Sequence, residues 1–347
     1  MAKTLLDQLN SQKRTVDFDS YDITVKELVG MVGDSLINIA PEYQRQFRWN
    51  SDRQSAFIES VFLGIPIPNL FMAANPDGTW ELIDGVQRLS TLIRFISDDT
   101  VWNARLLDGP LKLTGLTKLT EFNGNTFDHL IKSVQLQFLL KPLKVTTISD
   151  KSDFEVRFDL FERLNTGGVL LTAQEIRSCI YRGEFNETLR ELAHNPDFQR
   201  VVPIPQESEA NGTREEHVLR FFAYLHCYKQ FDHSVKDFLN SYMEKSSKSF
   251  DYSSNTQVFH EVFTRLAAAL PYGITRGRKT SPVNLYEAVA VGAALAYQQS
   301  GRIITNGAQE WIGSDQLKQL TTGATNSNPM VRKRIEFCRD RFLGNDA

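Results

Sequence analysis

The densest set of chemically capable side chains lies in Asp84-Gly85-Val86-Gln87-Arg88. It follows a run that reads as a strand, Thr79 to Ile83. It precedes a helical pattern with Val86, Leu89, Ile93 and Ile96 on one face. The first backbone N–H groups of a helix lack intrahelical partners and sit at the positive end of its dipole. A strand-to-helix junction therefore attracts phosphate. Gly85 lets a ligand approach the backbone closely. Arg88 can grip phosphate oxygens with two parallel hydrogen bonds. Asp84 can hold a metal ion, orient a water or accept from a ribose hydroxyl. Asp84, Gln87 and Arg88 are the catalytic candidates, and Ser90 and Thr91 add hydroxyls further along the same helix. Read alone, these residues also describe an ordinary helix cap and a solvated arginine.

Two other constellations suit a nucleotide. An extended Pro41–Trp49 puts Tyr43, Arg45, Phe47 and Trp49 on one side and Gln44, Gln46 and Arg48 on the other. Tyr43, Gln44, Arg45 and Arg48 can then hold a nucleotide by stacking and charge. The same pattern fits core aromatics with arginines at the rim. Arg163-Leu164-Asn165-Thr166-Gly167-Gly168 is a helix stop carrying more polar groups than a stop requires, and it can wall a pocket. Arg276, Arg278 and Lys279, in a loop with Gly277, are weaker candidates for a phosphate backbone. Arg332, Lys333, Arg334, Arg339 and Arg341 lie all round a helix, the pattern of a solvated surface.

The elements that must position these groups can be read from periodicity. A polar arm covers residues 1–20. A helix opens at the capping box Thr24–Glu27. Short strands are expected over Leu36–Ala40, Ile67–Ala73 and Leu143–Ile148, with helices over Ser51–Leu63 and Asp153–Leu164. Thr172–Glu175 is a second capping box. Beyond residue 184 helical patterns run through 185–196, 213–230, 234–245, 256–270, 284–299 and 328–343, with no convincing strand. The fold class is α+β: residues 21–183 form an α+β domain, the one that carries the nucleotide candidates above, and 184–347 a mostly helical one.

Composition narrows the function. The 347 residues carry a net charge of only −3, so any nucleic-acid contact is local rather than spread over a basic face. Three scattered cysteines give no disulfide framework and suit a reducing cytoplasm. No apolar run reaches the ~18 residues that a membrane span needs, and Ala288–Ala296 fits a buried helix. There is no P-loop, and the six histidines form no metal-binding motif.

Together the stretches 41–50 (PEYQRQFRWN), 57–71, 82–92 (LIDGVQRLSTL) and 161–177 (FERLNTGGVLLTAQEIR), with 217–243 more weakly, resemble the N-terminal domain family of GmrSD-type restriction endonucleases. The resemblance implies a ParB/sulfiredoxin-like core with a helical appendage. It also implies binding and hydrolysis of a nucleoside triphosphate, with Mg²⁺, in a DNA-restriction or anti-phage system. Asp84, Gly85, Gln87 and Arg88 match the family's Asp-Gly-Gln-Gln-Arg motif, while Val86 replaces its first Gln. If that Gln is needed for hydrolysis, nucleotide binds here without turnover; if Val86 faces the core, nothing is lost, and the helical pattern turns it inward. No His is followed by Pro three residues on, so the chain is expected to be either the nucleotide-sensing subunit of a split system, working with a separate nuclease subunit or another defence protein, or a standalone relative with a different output. DNA and a second copy of the chain are further partners. A ParB-like nuclease acting directly on DNA and a non-catalytic DNA-binding or regulatory module are the alternatives.

Overall fold

The computed structural model describes residues 5, 17–39, 49–75, 77–97, 109–149, 158–160, 162–163, 171–208, 211–277, 279–323 and 325–345. They fall into two units, Met1–Leu171 and Thr172–Ala347. The division comes one helix ahead of residue 184.

The first unit contains strands β1 (Phe18–Thr24), β2 (Ile37–Asn38), β3 (Leu70–Ala74), β4 (Trp80–Asp84) and β5 (Pro142–Ile148). Its helices are α1 (Val25–Gly33), α2 (Ser51–Leu63), α3 (Val86–Ile96) and α4 (Lys132–Leu139). The strands make one mixed sheet in the order β1-β5-β3-β4-β2. β1 pairs antiparallel with β5, and β3 lies parallel to β5 and antiparallel to β4. The sheet and the helices described with it confirm an α+β fold. Residues 18–20, expected in the polar arm, belong to an edge strand, Phe18–Thr24, paired from Phe18↔Ile148 to Thr24↔Pro142. An edge strand exposed on both faces shows no apolar alternation, so its sequence reads as polar coil.

Local signals explain the helix ends. Thr24 Oγ1 accepts from the Glu27 N–H at 3.2 Å at the start of α1. Asn50 Oδ1 accepts from the Arg53 N–H at 2.9 Å at the start of α2, and Gly64, at φ 70°, ends that helix. The core joins Leu28 and Val32 of α1, Ile58 of α2, Met72, Leu82, and Leu89 and Leu92 of α3. Most of the helix expected over 153–164 lies outside the described residues; those described are helical, with Phe158 buried.

The second unit is helical among its described residues. It comprises α5 (Ala173–Ile180), α6 (Glu184–Ala193), α7 (Pro196–Val201), α8 (Thr213–Cys227), α9 (Val235–Lys248), α10 (Tyr252–Ala269), α11 (Val283–Ser300), α12 (Ala308–Ile312), α13 (Asp315–Thr321) and α14 (Asn328–Phe342). The helices expected from periodicity form within a few residues of their expected bounds. α7, α12 and α13 were not anticipated, being too short for an apolar stripe to repeat. The Thr172 capping box forms with both of its hydrogen bonds. In α11 the Ala288–Ala296 stretch is buried, and Gly292 meets α14 so closely that an added Cβ would lie 2.6 Å from the Cβ of Cys338.

A ladder of alternating charges crosses this unit. Arg177 Nη1 meets Glu216 Oε2 at 3.1 Å, and Arg220 Nη2 meets Glu216 Oε1 at 2.8 Å. Arg220 Nη1 then meets Glu287 Oε1 at 2.7 Å, and Glu287 Oε2 pairs with Arg334 Nη2. Burial lowers Arg177's pKa against the pull of Glu216. Burial pushes Glu216 up, but Arg220 and Arg177 outweigh it and hold that carboxyl below its usual range. The reading of α14 as solvated all round is corrected here. Arg334 is fully buried because Glu287 compensates its charge.

Candidate functional site

β4 ends at Asp84 and α3 begins at Val86, so Gly85 makes the whole turn as the N-cap residue. Its φ is 110°, a conformation that favours glycine. A Cβ there would lie 2.2 Å from Leu70 Cδ2 on the neighbouring strand. Both backbone shape and space thus require glycine at this position. No side chain caps the helix end, so its first turn offers backbone N–H groups and a positive dipole. Val86 is half-buried beside it.

Arg88 folds back across this turn. Its Nη2 pairs with Asp84 Oδ2 at 2.5 Å. Its Nη1 donates to the backbone carbonyl of Pro68 and, at 3.1 Å, to that of Asn69. A guanidinium has five N–H donors, and three contacts to described residues use both Nη atoms. Arg88 therefore locks the strand end, the helix start and the 65–69 loop together. Gln87 Oε1 accepts from the Trp49 N–H at 3.1 Å, which ties α3 to the start of α2. Thr91 is buried and donates to the Gln87 carbonyl at 2.6 Å, and Ser90 is also buried. Neither hydroxyl opens onto the surface.

Arg88 borders a cavity of about 380 Å³, within the size range of small-ligand sites. Its polar wall brings Arg88 together with Lys141, Lys144 and Asp22. Its apolar wall includes Phe57, Ile65, Ile67 and Leu70. Asp22 and Lys144 stand opposite each other in the β1–β5 register. Sequence reading missed both lysines; the local signal is Lys141-Pro142-Leu143-Lys144, a pair of cations bracketing the start of β5.

Among the described residues no group of three His, Cys, Asp or Glu side chains could hold a metal ion. Asp84 already engages Arg88, so these residues do not make a magnesium site by themselves. Tyr43, Gln44, Arg45, Arg48, Asn165, Thr166, Gly167 and Arg278 lie outside the described residues. Arg163 and Lys279 are exposed. Arg276 is half-buried and donates from Nε to the Ile312 carbonyl at 3.0 Å, so part of its guanidinium serves the fold. His217 and His226 serve the second unit: His226 meets Tyr242 Oη at 2.7 Å and Asn255 Oδ1 at 2.9 Å.

Residues 25–182, which run from α1 through α5, match the family described as GmrSD restriction endonuclease, N-terminal domain. No curated protein and no solved structure matches the chain. No helix among the described residues is long and apolar enough to cross a membrane.

Proposed function

Residues 25–182 belong to the GmrSD restriction endonuclease N-terminal domain family, and from that premise we propose that this chain is the nucleotide-handling protein of a DNA-restriction system. The observation that carries this reading is the junction itself. An uncapped helix start, shaped by a glycine that admits no side chain, borders a cavity of ligand size through Arg88. In this reading a nucleoside triphosphate binds there. Its phosphates approach the uncapped first turn of α3 from the side that Arg88 lines. Asp84, held by Arg88, orients the attacking water. Phosphoryl transfer asks mainly for positioning and charge neutralisation, which these groups supply.

The fold is read as ParB-like and the protein as cytoplasmic. The chain acts in DNA restriction together with a nuclease, and it touches DNA only locally. Val86 is half-buried where the family motif has Gln, so phosphate release is the measurement that decides whether the bound nucleotide is turned over.

The purified protein should be titrated with ATP, GTP, CTP and UTP, with and without Mg²⁺, following melting temperature and phosphate release. At least one nucleotide should raise the melting temperature, and Asp84→Ala and Arg88→Ala should each abolish the rise. Ligand at ~100 times its Kd would stabilise the fold by about 2.7 kcal/mol. If no nucleotide shifts the wild type, the reading fails. Binding without phosphate release makes Val86→Gln the informative variant. Plasmid cleavage without nucleotide would establish a direct nuclease instead.

A further inference from the structure

We propose that Lys141 and Lys144, rather than Arg88, hold the phosphate chain of the ligand, with Arg88 as the positioning residue that shapes the cavity onto which they open. This inference rests on the nucleotide reading above and assigns the anion-binding side of that site.

Arg88 is poorly placed to serve as the clamp. Its charge is matched by Asp84, both Nη atoms are engaged, and its side chain is only 11% exposed. Gripping phosphate with both Nη atoms would break the bonds that hold the 65–69 loop against the motif. The lysines differ. Among the described residues neither makes an ion pair, and both line the cavity. Lys141 is half-buried and Lys144 is exposed. The Lys141 ammonium lies 3.6 Å from where a Cβ of Gly64 would be, so the cation stands beside the glycine that ends α2. An ammonium is a compact charge on a flexible stem, suited to following a phosphate chain.

The rest of the wall fits the same ligand. Phe57, Ile65, Ile67 and Leu70 offer an apolar surface for a base. Asp22 is the carboxylate on this wall, and it faces Lys144 across the strand pair. With Arg88 matched by Asp84, two lysines against one carboxylate leave this wall net positive, which favours an anion, and Asp22 opposes it. That arrangement gives a test with effects of opposite sign.

Affinity and melting temperature should be measured with inorganic tripolyphosphate, and with the four nucleosides as mono-, di- and triphosphates. Wild-type affinity should climb with each added phosphate. Lys141→Ala/Lys144→Ala should weaken triphosphate binding at least tenfold and flatten that climb, with the ligand-free melting temperature unchanged. Lys141→Arg/Lys144→Arg should restore both, and Asp22→Asn should tighten binding at least twofold. An alanine double variant with wild-type affinity and climb would overturn the assignment while leaving the nucleotide reading intact. If no nucleoside triphosphate binds but tripolyphosphate does so through the lysines, the nucleotide reading falls and the anion site stands. A lysine-dependent shift with duplex DNA but not with triphosphate would overturn the assignment. If the alanine variant fails to fold, Asp22→Asn decides, and unchanged affinity there refutes the proposal.

Discussion

At the scale of single residues, the site depends on one atom being absent. Gly85 combines a φ of 110° with a space already filled by Leu70 Cδ2, 2.2 Å from the missing Cβ. Gly85→Ala therefore adds backbone strain and overpacking, each worth ~1–3 kcal/mol. Urea denaturation should show a loss of about 2–4 kcal/mol. Leu70→Ala in the same chain should recover the overpacking part, seen as a favourable coupling in the double-mutant cycle. Additive losses would mean that the contact is not where the cost arises. The motif around Gly85 was legible because its members are adjacent in sequence and their roles follow from a strand meeting a helix. Lys141 and Lys144 were not, because only the pairing of β5 with β1 and β3 brings them beside Arg88. The sequence also offered Arg88 as a free clamp. Nothing in the spacing of residues shows that the carbonyls of Pro68 and Asn69 stand within its reach.

Among elements, the charge ladder decides the most. Glu287 of α11 is 1% exposed and serves both Arg220 of α8 and Arg334 of α14. Removing one partner of a buried pair leaves an uncompensated charge, at about 3–5 kcal/mol. Glu287→Ala should cost that much by chemical denaturation. Lys248→Ala should change stability by less than ~1 kcal/mol, because its pair with Glu244 is 73% and 43% exposed. Equal effects would show that the ladder is not a structural support. Long helices were readable here because a stripe repeats over three or more turns. The burial of Arg334 was not readable: a charged residue on a charged helix looks solvated until its partner on another helix is known.

For the whole molecule, acid sensitivity is expected in the second unit. Burial lowers His217, with Arg220 adding to the effect, while the Thr213 carbonyl, Glu216 and Glu287 oppose it. Burial also lowers His226, against its bond to Asn255. Both stay neutral when folded and take up protons when unfolded below their usual value near 6.5. Their contribution to stability is therefore complete above about pH 6.5 and declines as pH falls through the window below it. The urea midpoint of the second unit should drop between pH 7.5 and 5.5, and His226→Gln should flatten part of that slope. A slope unchanged by the variant would assign the acid response to the carboxylates instead.

The ladder also has a consequence in time. Arg334 follows Glu287 by 47 residues. At roughly 5–20 residues per second, synthesis delivers that arginine about 2–9 s after the carboxylate. Throughout this interval α11 cannot bury Glu287 with its full set of partners. On the ribosome, Glu287 therefore has Arg220 as its partner first, and the burial of its carboxylate in α11 is completed only once α14 has been made.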